Sequence, residues 1–207
     1  MQIQKENIRR QTLEAAKNIF LKKGFSHTSM RDIAKKAKVS LSNIYNYFSN
    51  KDEIYRETLA PLLLELEKII HTHKNSGHAL RDINDANRIK TNIQHYIDLV
   101  TLHKQELRLL LLHSQGSSLE RFKDEYTNQM TDTVLKMFNS FKSKHKDIKT
   151  TISPFFIHTN TAWMFSILEE MVMHELTPKE IELFVTEYIQ YETAGWRQLL
   201  GIKPTKL

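Results

Sequence analysis

The chain has 207 residues, of which 40% are apolar and 26% charged, with five Gly, four Pro and no Cys. Few Gly and Pro beside abundant Leu, Ile, Lys and Glu favour an all-α fold over a turn-rich β fold, and the lack of Cys excludes a disulfide scaffold and a thiolate metal site. No apolar run approaches the roughly 20 residues that span a membrane, and the first residues do not form a signal peptide, so we expect a cytoplasmic protein.

The net charge of +6 is distributed unevenly along the chain. Residues 1–57 contain twelve Lys or Arg against six Asp or Glu, whereas residues 58–207 contain eighteen of each kind. A basic excess confined to one end is expected when that end of a protein binds a polyanion. A membrane surface is the rival polyanion, but it requires an exposed apolar face beside the cations, and the apolar positions of this segment are needed for packing.

The first helix is predicted to span residues 3–23. Apolar residues at helical spacing define its buried face: Ile8, Leu13, Ala16, Ile19 and Phe20. Gly24 is expected to end the helix in a left-handed conformation, with Phe25 folding back onto the last turn. We expect this helix to support the two helices that follow it.

Two short helices joined by a tight turn are predicted between residues 29 and 51. Ser29 with Asp32 three residues later indicates a helix start, because a hydroxyl accepts from a backbone N–H and an acid is favoured at the positive helix end. Ser40 opens the second helix. Turning at about 100° per residue, the second helix directs Ile44 and Phe48 inward.

The outward face of this second helix is small and polar, with Ser42, Asn43 and Asn46. Asn can bridge the N6 and N7 edge of adenine, and a short Ser allows the backbone to approach the bases. Four lysines surround this face: Lys35, Lys36, Lys38 and Lys51. The pattern is typical of a DNA-binding helix-turn-helix, and the alternative is an amphipathic helix pair with solvated lysines.

A fourth helix is predicted to begin at a capping box formed by Asn50 and Glu53 and to reach about Ile70, with a kink near Pro61. Residues 72–84 are interpreted as a loop. Helical periodicity returns over residues 86–102, 105–113 and 119–144. Two further helices are expected from Ser153 to Leu176 and from Thr177 to Gly201, each with a capping residue followed by Pro. The chain should therefore contain about nine helices and no strand.

The sequence resembles the tetracycline-repressor (TetR) family of bacterial transcription regulators. The resemblance lies in AAKNIFLKKGF, TSMRDIAKKAKVS and SNIYNYFSNKDEIY, between residues 13 and 55, and weakly in YETAGWRQLLG. The family usually has Gly where this chain has Lys38, and a non-Gly residue in a left-handed conformation costs on the order of 1 kcal/mol. Either the turn is reshaped or the strain is tolerated.

The resemblance implies a helix-turn-helix DNA-binding domain in residues 1–52 and a helical effector-binding and dimerisation domain in residues 53–207. Asn43 is expected to read a base, and Tyr47 and Lys51 to hold phosphates. Arg31, Ser29 and Tyr45 are implied as backbone contacts, and Tyr45 also as a base contact. The full set of expected DNA-binding residues is Ser29, Arg31, Ser40, Leu41, Ser42, Asn43, Tyr45, Asn46, Tyr47 and Lys51.

The last two helices are unusually apolar, and the eighth helix is apolar on more than one face. A helix of this kind must be buried on most sides, and a monomer of this size has too little other surface to bury it. In the TetR family these helices meet their two-fold mates in a four-helix interface. The resemblance therefore implies a homodimer, with the interface residues Met164, Phe165, Leu168, Phe184, Tyr188 and Tyr191. The alternative is that both helices belong to the core of one subunit.

Four consecutive polar residues, 158–161, interrupt the apolar run of the eighth helix, so at least one polar side chain should face inward. A mostly apolar cavity with few polar groups is typical of a small-molecule site. We expect it to bind a small, largely apolar effector through His95, Tyr126, Met130, Phe156, His158, Asn160 and Trp163. The alternative is that protein atoms or water satisfy the polar groups.

The ten His residues lack the spacing of a metal site: there is no H-E-x-x-H motif and no His pair at i, i+4. No metal, no cofactor and no catalytic residue is expected, because nucleophile-elbow and phosphate-loop motifs are absent as well. The sequence predicts a homodimeric repressor of the TetR type that binds a palindromic operator and is released by an effector. The alternatives are a small helical enzyme or carrier with a basic docking region, and a non-specific architectural DNA binder.

Overall fold

A computed structural model describes residues 2–75, 85–144 and 151–202, and this part of the chain contains nine α-helices and no strand. The all-α prediction is confirmed. The helices are α1 Gln2–Lys23, α2 Met30–Ala37, α3 Leu41–Tyr45, α4 Lys51–Asn75, α5 Ala86–Leu102, α6 Lys104–Leu112, α7 Phe122–Lys144, α8 Pro154–Met173 and α9 Pro178–Leu200.

The chain divides into two compact units. Unit 1 comprises residues 1–64 and 105–122, and unit 2 comprises residues 65–104 and 123–207. These units are defined by packing, whereas the boundary at residue 52 was predicted from the position of a DNA-binding motif and stays a prediction. The first half of α4 belongs to unit 1 and the second half to unit 2.

Three buried aromatic rings form the centre of unit 1. The Tyr55 ring lies edge-on to Phe20 and to Phe25, with ring centroids 5.0 Å apart in each pair. Such edge-to-face contacts add about 0.5–1.5 kcal/mol to the burial of the rings. The Tyr55 hydroxyl donates to the backbone carbonyl of Leu109 over 2.7 Å, and burial raises the pKa of Tyr55. The cluster therefore joins α1, α4 and the distant segment that carries α6.

Residues 105–122 are fixed to the N-terminal helices at several further points. The Lys17 ammonium lies 2.6 Å from the Glu106 carboxylate, and the Phe25 N–H donates to the His113 carbonyl over 3.0 Å. The backbone N–H of Ser118 donates to Asp52 over 2.7 Å. These contacts explain why a segment far away in sequence belongs to unit 1.

Unit 2 is organised around α8, whose buried side chains all lie on one face. These residues recur at helical spacing: Ile157, Thr161, Met164, Phe165, Leu168, Met171 and Val172. Helix α5 packs against α8 and α9. Tyr126 of α7 lies edge-on to Phe165, with the centroids 5.2 Å apart, and donates its hydroxyl to the Leu66 carbonyl over 3.1 Å.

The predicted capping residues occupy their predicted positions. The Ser29 hydroxyl accepts from the Asp32 N–H over 3.1 Å, and the Asp32 carboxylate accepts from the Ser29 N–H over 3.0 Å. The backbone hydrogen bond from Ser29 is the main reason that the pKa of Asp32 lies below its usual value. The same box opens α9 through Thr177 and Glu180, and the Ser153 hydroxyl caps α8. Local sequence thus fixes these three helix starts.

The start of α4 departs in detail from the predicted box. The Glu53 N–H donates to the Asn50 side chain over 2.9 Å, as predicted, but the Glu53 carboxylate accepts from the Ser49 N–H over 2.6 Å. The carboxylate therefore reaches one residue further back. Helix α4 includes Pro61, and the kink predicted there stays a prediction.

Several helix ends differ from the predictions. Residues 72–75 continue α4, so the loop predicted to start at residue 72 was wrong there, and residues 76–84 lie outside the described residues. Helix α7 begins at Phe122 instead of Leu119, because the backbone at Ser117 and Glu120 is held in turns. Helix α8 ends at Met173 because His174 is extended, with φ −91° and ψ 147°. The last two differences arise from local hydrogen bonds or dihedral angles that periodicity does not encode.

Lys38 adopts the left-handed conformation that the resemblance raised as a possibility. Its φ is 56° and its ψ 38°, and its N–H donates to the carbonyls of Ala34 and Lys35 at the end of α2. Lys38 is the one non-Gly residue with positive φ in the described part of the chain. The turn therefore keeps its shape and the strain is tolerated.

Lys38→Gly is expected to raise the free energy of unfolding by about 1 kcal/mol, because Gly adopts positive φ without a Cβ clash. Lys36→Gly is the matched control, since Lys36 is exposed and helical in the last turn of α2, and it should lower stability by up to about 1 kcal/mol. Urea unfolding measures both. Equal losses for the two variants would contradict the strain at Lys38.

Candidate functional site

Helix α3 presents its polar residues to solvent. Ile44 and Phe48 are buried, as the helical projection predicts, whereas Ser42, Tyr45 and Asn46 are exposed. Tyr45 is 51% exposed although it is aromatic. Leu41, Asn43 and Tyr47 are half-buried at the edges of this face. The arrangement leaves hydrogen-bonding groups accessible along a helix of the size that enters a major groove.

Ser40 has a structural task at the start of α3. Its hydroxyl accepts from the Asn43 N–H over 3.2 Å and lies 3.2 Å from the Ser42 hydroxyl. The backbone N–H groups of Tyr47 and Phe48 both donate to the Ile44 carbonyl, at 2.9 and 3.0 Å. The helical path therefore continues for one turn beyond Tyr45, and it keeps Phe48 inside.

Exposed cations flank this helix along α2. Arg31, Lys35, Lys36 and Lys38 are all exposed. Exposed cations that are free to approach DNA neutralise phosphates and release counterions. The predicted basic surround of α3 is thus formed mainly by α2 and its C-terminal turn.

Lys51 differs from the other lysines. Its ammonium donates to the carbonyls of Phe25 and Thr28, each over 2.7 Å, and lies 4.0 Å from the centroid of the Phe25 ring. Burial lowers the pKa of Lys51. The structure therefore directs this cation toward the protein, a contact that the sequence pattern did not predict.

Three of the residues predicted for dimerisation lie in the core of the subunit. Met164 is 8% exposed, Phe165 0% and Leu168 1%. A side chain covered by its own chain offers no surface to a partner, and in the single chain these three residues belong to the buried face of α8. Phe184 and Tyr191 of the same predicted set are 37% and 66% exposed.

A groove of about 700 Å³ lies between α8 and α9. Aromatic rings from both helices line part of it, with Trp163 5.8 Å from Tyr188 and 6.0 Å from Tyr191 between ring centroids. Phe184 stacks on Tyr188, with the ring centroids 6.3 Å apart. Trp163, predicted to bind an effector, thus lies with the three predicted interface residues of α9.

The other predicted effector residues lie in separate places. Tyr126 and Met130 are buried on α7, and His95 is exposed on α5. Phe156 lies 5.7 Å from Trp196 between ring centroids. His158 is half-buried on α8. Of the seven predicted effector residues, Trp163 alone lines the groove between α8 and α9.

Protein atoms satisfy three of the four polar groups that interrupt α8. The hydroxyls of Thr159 and Thr161 donate to carbonyls four residues earlier, over 2.7 and 3.1 Å. The Asn160 amide donates to Glu192 over 3.0 Å. This matches the alternative that the sequence left open, in which the protein itself supplies the partners.

Sequence reasoning missed the cluster around Glu192. One Glu192 oxygen accepts from Asn160, and the other accepts from the Trp196 indole N–H over 2.9 Å. Burial raises the pKa of the nearby Tyr96 to about 12, and Glu192 adds to the shift. The spacing of Tyr188, Glu192 and Trp196 at i, i+4 and i+8 was the available signal, because such residues share a helix face.

The described residues contain no group of three or more His, Asp or Glu side chains placed to hold a metal ion. They also contain no helix long and apolar enough to cross a membrane. Glu170 and His174 form an exposed pair at i, i+4, with 3.2 Å between Oε2 and Nε2.

Residues 13–58, which include the whole α2–α3 pair, match the family described as bacterial regulatory proteins, tetR family. This segment of the chain belongs to the tetR family. A helix-turn-helix transcriptional regulator of Haemophilus influenzae is 26% identical over 145 residues, which are 70% of this chain and 68% of that protein. Further curated helix-turn-helix regulators match over 55 to 70 residues, or 27% to 36% of their own lengths.

Solved structures share the fold over most of the chain. NalD, the secondary repressor of the MexAB-OprM multidrug efflux pump in Pseudomonas aeruginosa, superposes with a TM-score of 0.61 at 20% identity, over 90% of this chain and 96% of NalD. FadR of Bacillus subtilis, in complex with stearoyl-CoA, gives 0.54 at 16% identity, over 87% and 96%. The chain, which carries this tetR-family segment, is a DNA-binding transcription regulator, and the relatives are regulators instead of enzymes.

Proposed function

We propose that this tetR-family regulator is a cytoplasmic repressor that binds a palindromic operator as a homodimer and is released by a small, largely apolar effector. The exposed polar face of α3, flanked by the cations of α2, carries the proposal. A repressor of this kind occupies DNA that the transcription machinery needs. NalD, which has the same fold, is described as a repressor.

In this proposal α3 enters the major groove. Asn43, Ser42, Asn46 and Tyr45 read base edges, because short polar and amide side chains on this face reach hydrogen-bonding groups of the bases. Contacts to the DNA phosphates and sugars come from two helix starts and from one residue beyond α3. These residues are Ser29 and Arg31 at the start of α2, Ser40 and Leu41 at the start of α3, and Tyr47. This division assigns specificity to α3 and most of the salt-dependent affinity to its surroundings.

Asn43→Ala is expected to cost roughly 1–3 kcal/mol of binding free energy on the duplex that the protein selects from a randomised pool, and little on a random duplex. Arg31→Ala is the matched control, because the loss of a phosphate contact weakens every duplex and reduces the slope of log K against log salt by about 0.9. Fluorescence anisotropy at several salt concentrations measures both effects. Equal losses on selected and random duplexes for Asn43→Ala would refute base reading and favour the architectural alternative.

The homodimer surface is proposed to be the aromatic groove between α8 and α9. Trp163, Phe184 and Tyr191 are 43%, 37% and 66% exposed in the single chain, and aromatic residues are enriched at the centre of protein interfaces. Tyr188 lies between them. A two-fold interface uses the same patch on both subunits, so each subunit would cover these rings of the other.

Tyr191→Glu is expected to produce folded monomers with much weaker operator binding, because a charge replaces an exposed ring at the proposed interface. Leu102→Glu is the matched control: Leu102 is 71% exposed on α5, outside the groove, and the dimer should persist. Light scattering gives the mass and thermal unfolding checks the fold. Monomeric unsubstituted protein, or a dimer unaffected by Tyr191→Glu, would contradict the proposed interface.

The effector is proposed to bind beside Phe156 and Asn160, where Trp196 and Glu192 add a ring and a carboxylate. Largely apolar sites with few polar groups are typical of small-molecule binding. FadR, which has the same fold, binds stearoyl-CoA in its solved structure. For release, the effector must bind the conformation without DNA more tightly than the DNA-bound one.

A lipophilic compound that raises the melting temperature of the free protein is expected to weaken operator binding roughly 5- to 150-fold, which corresponds to a coupling of about 1–3 kcal/mol. Asn160→Leu should change the response to that compound, whereas His95→Leu, at an exposed position of α5, should not. A thermal-shift screen followed by anisotropy on the DNA complex tests both expectations. Stabilising compounds that all leave operator affinity unchanged would overturn release by an effector of this class.

A further inference from the structure

The first residue of α4, Lys51, is the cation that the structure directs inward. We propose that Lys51 is a positioning residue: by joining the start of α4 to the carbonyls of Phe25 and Thr28, it holds α2 and α3 in place for reading DNA instead of neutralising a phosphate. This inference rests on the proposed function.

The contacts of Lys51 fit this role. An ammonium group has three N–H donors, and two of them are used on backbone carbonyls at 2.7 Å each. The Phe25 ring, 4.0 Å away, adds a cation–π contact. The side chain is also half-buried, so a change of rotamer toward solvent would break three contacts at once.

Local stability alone does not favour Lys at this position. A cation at the N-terminal end of a helix is disfavoured by the helix dipole, and Asp or Glu is preferred there. Burial adds to this cost, and it lowers the pKa of Lys51. The two carbonyl hydrogen bonds offset the cost, but they do so only because the loop between α1 and α2 lies directly beside the start of α4.

The contact encloses the DNA-reading segment. Thr28 directly precedes Ser29, which caps α2, and Lys51 begins the helix after α3. Residues 29–50 therefore lie between two backbone points that one ammonium group holds together. Thr28 is itself fixed, because its hydroxyl donates to the Gly24 carbonyl over 2.7 Å and its side chain is buried.

The residue after Lys51 strengthens this arrangement. The Asp52 carboxylate accepts from the backbone N–H of Ser118 over 2.7 Å, so the start of α4 is tied to residues 105–122 as well. The ammonium contact thus connects the α1–α2 loop to a helix start that is already fixed. Loss of the ammonium should loosen α2 and α3 while α4 keeps its place.

The test uses Lys51→Met, which keeps an apolar stem over Phe25 and removes the donors, with Arg31→Met as the phosphate-contact control. Binding is measured on the duplex that the unsubstituted protein selects from a randomised pool and on a random duplex, across several salt concentrations. Titration at stoichiometric concentration corrects for the folded, active fraction. Amide hydrogen exchange over residues 29–50 provides a readout without DNA.

For Lys51→Met we expect the ratio of selected to random affinity to fall roughly tenfold or more, because base contacts are misplaced. The slope of log K against log salt should stay unchanged, and exchange of the α2 and α3 amides should accelerate. Arg31→Met should instead lower the slope by about 0.9 and leave the ratio unchanged.

A slope reduced by about 0.9 with an unchanged ratio in Lys51→Met would identify a phosphate contact and overturn the inference. Unchanged affinity and unchanged exchange would overturn it too. If the unsubstituted protein selects no duplex from the pool, the proposed function fails first. If that protein selects a duplex and Lys51→Met keeps the same selectivity, only the positioning role fails.

Discussion

The aromatic cluster of Phe20, Phe25 and Tyr55 is the constraint on which unit 1 depends. Its rings come from α1, from the loop after it and from α4, so their mutual burial sets the path of the chain on both sides of the helix-turn-helix. The Tyr55 hydroxyl then requires a buried acceptor, which the Leu109 carbonyl supplies. A DNA-reading pair as short as α2 and α3 cannot bury enough apolar surface alone, and this surrounding packing gives it a fixed position.

In unit 2 the burial of α8 on one side determines which of its apolar residues are available to a partner. The core of the subunit takes Met164, Phe165 and Leu168, and the opposite side leaves Trp163 exposed beside the aromatic residues of α9. An apolar helix therefore contributes to folding with one face, and its remaining rings stay exposed in the single chain. A composition that is apolar all round does not distinguish these two uses, because it records residue types without their directions.

Helix caps and the buried face of α3 could be predicted from the sequence, because their physical causes are local. Ser29, Ser153 and Thr177 cap helices because their hydroxyls reach a backbone N–H a few residues away, and Ile44 is buried because helical geometry fixes its direction. The conformation of Lys38 could not be predicted in this way. The residue type indicates the energetic cost of a left-handed Lys, but the choice between strain and a reshaped turn depends on the packing of α2 against its neighbours.

The sequence by itself determined the all-α class, the helix-turn-helix and the basic character of the N-terminal end, because capping, periodicity and net charge act over a few residues or are simple sums. Only the tertiary structure decided that the Lys51 ammonium faces Phe25 and Thr28, that Asn160 pairs with Glu192, and which face of α8 is covered. These contacts join residues between 23 and 32 positions apart. Their partners are chosen by how whole helices pack, and no local pattern contains that information.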